Sequence, residues 1–390
     1  MVVSFIVSLL VFPIVLNYAK KHHIVDNPNA RKLQRIPIPV LGGVVVYIGL
    51  LAGVLTLFPF MQSPLINWGV VGMTVMMVIG VWDDVKDLSA TLRFLIETAM
   101  VLSFILLTDI YIDNLHGFWG IDELPTWAGY LLSIVYGVGL INAVNMIDGM
   151  DGYSSGYVIM ASTFFGLIFW GVWSPLMVAL AGIVIGALIP FFLHNVFGVR
   201  SKMFMGDGGS MMLGMLLVIF SFFSVSSNSQ CDMLEAYGMS TVAIVLAVTC
   251  IPVFDTIRVM MVRILRGVSP FRPDKTHLHH LFIDMGFSHL GASLFILLMN
   301  AIVVGLWWFT WRVGGSIDLQ MYVVVILGFL VTFGFYKFVK WHQNGGPTDE
   351  EGFPQGTIVW QILCRFGEWT HFEKNRLWRM IRYAMDGPLE

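Results

Sequence analysis

Residues 203–226 read MFMGDGGSMMLGMLLVIFSFFSVS, a glycine-rich turn around one acid followed by a run without a single charge. From Gly209 to Ser226 that run holds 18 residues, close to the roughly 20 that a helix needs to cross the hydrocarbon core of a bilayer. Working outward, comparable segments fall near 1–19, 40–61, 65–82, 92–108, 127–143, 154–173, 175–194, 239–257, 289–311 and 319–340. With 209–226 they make eleven expected spans, the fourth and fifth being the shortest. Gly and Pro inside them do not veto helix, because lipid forces backbone pairing within each segment. The composition agrees: 57% of the 390 residues are apolar and 12% charged, against about 45–50% and 25% in soluble domains. The mean hydropathy is +0.79. A soluble enzyme, a disordered chain and a disulfide scaffold are excluded. The expected fold is therefore all-α, a polytopic membrane protein.

The basic residues set the expected orientation. Of 22 Lys and Arg, all but Arg312 fall in the loops after odd-numbered spans, at the span ends bordering that side, or in the tail. The positive-inside bias then places the N-terminus outside and the C-terminus in the cytoplasm. The outward loops are short apart from Asp109–Thr126 and Ser227–Gly238. A net charge of −3 gives no reason to expect nucleic acid as a partner. Cys231, Cys250 and Cys364 have neither disulfide nor zinc spacing. Two units are expected: a transmembrane domain, 1–341, and a cytoplasmic tail, 342–390. In the tail Leu377, Met380, Ile381 and Ala384 can share a helical face edged by Arg376, Arg379 and Arg382, the pattern of an interfacial amphipathic helix or equally of a solvated or self-packing tail.

Five polar clusters share the expected cytoplasmic side: KLQRIPIPVLGG (Lys32–Gly43), WDDVKD (Trp82–Asp87), NAVNMIDGMDG (Asn142–Gly152), MFMGDGGS (Met203–Ser210) and SPFRPDKTHLHH (Ser269–His280). In a helix Asp83 and Asp87 share a face with Asp84 between them, and such acids repel unless a cation is bound. Asp148 and Asp151 repeat the pattern in a glycine-rich segment. Asp207 sits at a helix N-terminus, where exposed amides bind phosphate oxygens and a carboxylate can hold a divalent ion. Magnesium takes one or two carboxylates plus substrate phosphates. His277, His279 and His280 lack the partners of a zinc site and are poor magnesium ligands, so with Lys275 and Arg272 they read as donors to phosphate or sugar. In an extended segment His277 and His279 would face one way and His280 the other.

Each cluster has an ordinary explanation alone: solvated loop acids, an N-cap at Asp207, a titrating surface loop of histidines. Five on one membrane face describe phosphoryl transfer between a soluble diphosphate donor and a phosphate held in the membrane.

DDVKD, NAVNMIDGMDG, FMGDGGS and PDKTHLHH, in that order, resemble the motifs of the polyprenyl-phosphate N-acetylhexosamine-1-phosphate transferase family, glycosyltransferase family 4. The resemblance spans about Val25 to Met285 and leaves the tail uncovered. The His-x-His-His form is similar to the branch using UDP-N-acetylglucosamine. What the resemblance implies is transfer of N-acetylglucosamine 1-phosphate to undecaprenyl phosphate with release of UMP. The product would start a bacterial envelope glycan such as O-antigen, enterobacterial common antigen, teichoic acid or capsule. The setting implied is the bacterial inner membrane with the site facing the cytoplasm, and Mg2+ (Mn2+ substituting) as cofactor. A homodimer is allowed. The resemblance assigns Asp207 and Asn145 to the metal, and Asp83 and Asp84 to positioning or deprotonating the lipid phosphate or to the metal. It assigns Arg35, Asn142, Asp148, Asp151 and Phe204 to the nucleotide, with Lys32 an alternative to Arg35. Lys275, His277, His279 and His280 would contact sugar or diphosphate.

Two other readings stand beside this one. An intramembrane prenyltransferase would use Asp83–Asp87 as D-D-x-x-D and Asp148–Asp151 as D-x-x-D, but leaves the Asp207 turn and the histidines without a task. A transporter would distribute its acids through mid-span positions, and only Glu97, a turn from Arg93, departs from the clustering at one face.

Overall fold

The computed structural model describes residues 1–26, 37–57, 63–86, 88–270, 276–343, 357–371 and 376–386. The expected site residues Arg35 and Lys275 lie outside them, as do Lys32, Asp87 and Arg272. The fold is all-α. Helices α1 (Val2–Lys21), α2 (Gly42–Leu57), α3 (Pro64–Lys86) and α4 (Ala90–Thr108) lead to α5 (Thr126–Met146), α6 (Tyr153–Gly171), α7 (Pro175–Phe197) and α8 (Gly206–Val225). They are followed by α9 (Thr241–Val248), α10 (Cys250–Leu265), α11 (Leu278–Asp284) and α12 (His289–Arg312). Helix α13 (Ile317–Phe329) runs through a π-turn at Leu330–Gly334 into α14 (Phe335–Gln343). Helices α15 (Ile358–Trp369) and α16 (Arg376–Asp386) form the tail. Among the described residues the only strands form two small antiparallel pairs, β1 (Val25–Asp26) with β2 (Ile38–Pro39) and β3 (Asn114–Phe118) with β4 (Ile121–Glu123).

Nine described helices, counting Ile317–Gln343 as one, are long and apolar enough to cross a membrane. They coincide with nine of the eleven expected segments. The second expected segment is the shorter apolar helix α2, of 16 residues. The ninth, 239–257, is not one helix. The 3₁₀ helix Gln230–Tyr237 and α9 meet at 108°, a tenth span if the pair counts as one, and α9 then breaks from α10 at Thr249. Pro252 cannot donate a backbone hydrogen bond at this break. Buried Asn300 of α12 occupies it instead, accepting from the Ile251 amide at 3.0 Å and donating to the Val248 carbonyl at 3.1 Å. Such side-chain substitution is how a broken helix is tolerated away from water.

Helix α8 is the axis of the molecule. Every residue from Gly208 to Val225 is buried, and a helix enclosed on all sides must be apolar on all sides, which is why the run after Asp207 carries no charge. Small residues let its neighbours approach. A Cβ on Gly80 of α3 would lie 2.3 Å from the Gly208 amide nitrogen, and one on Gly43 of α2 would lie 2.3 Å from the Gly209 Cα. These two contacts bring three of the polar clusters to the N-terminal end of α8.

Candidate active site

The turn before α8 is built by backbone pairing. Phe204 donates its amide to the Pro39 carbonyl at 2.7 Å, and the amides of Gly42 and Gly43 donate to the carbonyls of Phe204 and Met205 at 2.9 and 2.8 Å. Gly206 then takes φ +77°, and a Cβ there would lie 2.4 Å from the Val40 carbonyl oxygen and 2.7 Å from Asp84 Oδ2. Only glycine satisfies both constraints. Asp207 therefore emerges at the first turn of α8 with Asp84 beneath it.

The Asp84 carboxylate accepts from the amides of Asp207 and Gly208 at 3.1 and 3.5 Å, so an acid of α3 already occupies part of the anion-attracting helix end. Asn145 donates through its side-chain nitrogen to Asp207 Oδ1 and to Ser210 Oγ, both at 3.0 Å. Arg93 lies between three acids, 2.7 Å from Asp83, 3.6 Å from Asp207 and 3.8 Å from Glu97. Asp83 also accepts from the Leu88 amide at 2.7 Å, so both of its oxygens are engaged. Glu97 accepts from Asn142 at 2.5 Å. Thus Asp83, Asp84, Asn142, Asn145 and Asp207 form one contact network. Arg93 is the cation at its centre.

Asp148 and Asp151 lie in the turn between α5 and α6. Asp148 accepts from the Ser154 hydroxyl. Burial pushes its carboxyl well above the ordinary range, and the charges of Asp207, Asp84 and Asp151 act in the same direction. Burial acts on Asp151 in that sense too, but His289 and Lys202 outweigh it and hold the carboxyl below its usual value. Lys202 Nζ is 2.5 Å and His289 Nδ1 3.2 Å from its Oδ2. Lys202 also lies 6.0 Å from the centre of the half-buried Phe204 ring, which places Phe204 beside the Asp151 corner.

The histidine segment is not extended. His277 precedes α11 and His279 and His280 lie in its first turn, so His280 is not turned to the opposite side. Its ring centre is 4.3 Å from that of His279, while the rings of His277 and His279 stack 5.8 Å apart. His277 faces inward, 3.0 Å from Asp255, which also receives two bonds from fully buried Arg258 at 2.6 and 3.2 Å. Arg258 bonds the Thr276 carbonyl at 2.6 Å, tying the start of the segment to α10. His279 is buried against the 148–151 turn, where a Cβ on Gly149 would lie 2.8 Å from its Nε2. Its Nδ1 has no hydrogen-bond partner among the described residues. Burial, with His280 and His277 close by, pushes His279 well down, so it is a neutral imidazole at physiological pH.

Sequence reasoning missed Arg93, Lys202, Asp255, Arg258 and His289. Asp255 and Arg258 did carry a signal: an acid and a base three residues apart at the end of an apolar segment can pair on one helix face. A separate His and carboxylate group with metal-ligating spacing, His116 with Asp232 and Glu235, lies at the other end of α8.

The arrangement offers hard oxygen donors beside helix-end amides, one arginine, and a buried neutral imidazole against the 148–151 turn, a donor set suited to a divalent cation and phosphates. A family model described as glycosyl transferase family 4 matches residues 67–225, which include the aspartate pair, the Asn142–Gly152 turn and the Asp207 turn. A Bacillus subtilis (strain 168) protein named "Probable undecaprenyl-phosphate N-acetylglucosaminyl 1-phosphate transferase" is 31% identical over 310 residues, 77% of this chain and 82% of that protein. The Escherichia coli (strain K12) "Undecaprenyl-phosphate alpha-N-acetylglucosaminyl 1-phosphate transferase" is 30% identical over 291 residues, 74% of this chain and 77% of its own length. A protein of the same name from Salmonella typhi is 28% identical over 328 residues, 82% of this chain and 84% of its own. The chain is a multi-pass membrane transferase and belongs to glycosyl transferase family 4.

Proposed function

We propose that this enzyme transfers N-acetylglucosamine 1-phosphate from UDP-N-acetylglucosamine to undecaprenyl phosphate, releasing UMP and starting a lipid-linked envelope glycan. The names of the relatives support the acceptor and the sugar phosphate. The observation that carries the reading is the meeting of Asp84, Asp207, Asn145 and Arg93 at one helix end. In this reading the chain crosses the bacterial inner membrane eleven times, with the N-terminus outside and this cluster on the cytoplasmic side, where its nucleotide substrate is.

Magnesium fits the donors. Asp207 is 39% exposed at its side chain and has an oxygen that Asn145 does not hold, and Asp84 lies against the same turn. Asp207, with Asp84, would hold the ion, and Asn145, which turns its nitrogen toward Asp207, would fix the carboxylate's orientation. The ion supplies charge neutralisation at the transferring phosphoryl group. The chain does the positioning. Asp83, whose two oxygens accept from the Leu88 amide and from Arg93, orients that arginine. A phosphate monoester with a second pKa of about 6 needs little deprotonation near neutrality, so direct attack is the simpler route. A lipid phosphate oxygen forms the new bond to the β-phosphorus as the bond to the bridging oxygen breaks, and UMP leaves with that electron pair. Asn142, Asp148, Asp151 and Phe204, with Arg35, would hold the nucleotide, Phe204 stacking on uracil. His279, whose Nδ1 has no partner among the described residues, is suited to bond the sugar phosphate with His280 beside it, and Lys275 would add a cation. His277 would act by holding α11 to Asp255.

The test is UMP release by detergent-purified enzyme with donor, lipid phosphate or magnesium omitted in turn. Release needing all three and abolished in Asp207→Ala is expected. Release that persists without the lipid phosphate, or in the variant, overturns the proposal.

A further inference from the structure

His116, Asp232 and Glu235 are used by nothing described so far. His116 lies in β3, and its backbone is turned into the left-handed region, φ +51°, where its amide donates to Asn114 Oδ1 at 2.6 Å. The imidazole is thereby driven inward and is 0% exposed. Its Nε2 is 2.6 Å from the carbonyl oxygen of Val225, the last residue of α8. A carbonyl only accepts, so Nε2 carries the proton and Nδ1 is the nitrogen left to face the acids.

The acids are placed by the 3₁₀ helix Gln230–Tyr237. In that helix, side chains three residues apart eclipse, so Asp232 and Glu235 present both carboxylates on one face. Nδ1 is 3.3 Å from Glu235 Oε2 and 3.7 Å from Asp232 Oδ1, and the three ligand atoms all lie within 4.8 Å of one another. A tetrahedral ion with bonds of about 2.0–2.1 Å holds its ligand atoms roughly 3.4 Å apart, which the two measured separations bracket. The backbone carbonyl behind the ring is the partner that orients a metal-ligating histidine. The carboxylates are 49% and 39% exposed at their side chains, leaving a side open for entry and for water.

We propose that His116 Nδ1, Asp232 and Glu235 form a binding site for a divalent transition metal of the zinc class, completed by water. Its place makes it separate from the phosphoryl-transfer cluster, because Asp207 and Val225 stand at opposite ends of α8, about 27 Å apart along the axis. The bound ion fastens the β3–β4 hairpin to the 3₁₀ helix and clamps the end of α8 remote from the chemistry.

The test is a zinc titration of full-length, chelator-stripped protein in detergent, with excess magnesium occupying the other acids. Wild type is expected to bind one equivalent more than His116→Gln and to unfold at a higher temperature with zinc than without. Cobalt in place of zinc should give the strong visible absorption of a tetrahedral site. Should His116→Gln fail to fold, the double variant Asp232→Asn/Glu235→Gln, altered at exposed Asp232 and half-buried Glu235, should lose the same equivalent, the cobalt band and the thermal response. Equal stoichiometry and equal thermal response in wild type and the double variant would overturn the site and leave an ion pair only.

Discussion

Replacing Gly80 with alanine adds one methyl group where α3 meets the first turn of α8. That Cβ would lie 2.3 Å from the Gly208 nitrogen, 2.4 Å from its Cα and 2.5 Å from the Asp207 carbonyl carbon. All three are backbone atoms, so no rotamer change relieves the overlap. Restoring ordinary contact requires the helices to part by about 1 Å, at an overpacking cost of roughly 1–3 kcal/mol. The displaced atoms are those that fix Asp207 against Asp84 and Asn145. A misplacement of about 1 Å in a positioned site can cost on the order of 100-fold in rate. Gly80→Ala is therefore expected to fold, with a lowered unfolding temperature, and to release UMP about 100-fold more slowly. Gly139→Ala in α5, where a Cβ meets nothing within 4 Å, is the control and should be neutral or slightly stabilising. Turnover of Gly80→Ala within a few-fold of that control would refute the packing argument.

Other consequences follow from individual contacts. Asp255→Asn leaves fully buried Arg258 without its carboxylate and should destabilise by about 3–5 kcal/mol; an unchanged unfolding temperature would contradict this. Burial and neighbouring acids raise the folded-state carboxyl of Asp148 above its unfolded value of about 4. Its stabilising balance is therefore complete at low pH and is lost as pH rises toward the folded value. Asp148→Asn lacks that slope and should gain stability over wild type as pH rises above the unfolded value of about 4, without magnesium; a gap that does not widen with pH would count against the assignment. Asp386 of α16 accepts from the amides of Val199, Arg200 and Ser201 at 2.5, 3.1 and 3.0 Å. Burial raises its carboxyl, but the Ser201 hydroxyl and these amides outweigh it and hold it low, so the contact persists until strongly acid pH. Asp386→Ala should free α16, read as faster proteolysis of the tail with unchanged unfolding of the body; an equal rate would contradict the docking.

What the sequence made legible was local. The charge-free run after Asp207 marked a membrane-spanning helix, and glycine-flanked acids marked the turns near its end. Residues whose role depends on distant partners were not legible in this way. Asp255 read as part of an apolar segment because its partner His277 is 22 residues away. His277 read as a substrate donor, whereas the structure turns it inward to that acid. Glu97 stood out as an isolated acid one turn from Arg93, but the side chain that engages it, Asn142, comes from a different helix. The break at Thr249 depends on Asn300 in α12, so hydropathy alone gave one continuous span. Gly80 and Gly43 were ordinary small residues of apolar helices until α8 was placed against them.

The most direct test of the central claim follows the β-phosphorus of the donor. UDP-N-acetylglucosamine labelled with phosphorus-32 at the β position and tritium in the sugar is incubated with enzyme, magnesium and undecaprenyl phosphate, and the lipid extract is counted. Transfer of sugar 1-phosphate predicts both labels in the lipid at equal molar amounts, with unlabelled UMP in the aqueous phase and neither label transferred by Asp207→Ala. Tritium alone in the lipid, with the phosphorus label left on UDP, would mean that the bond broken is the glycosidic one and would contradict the account.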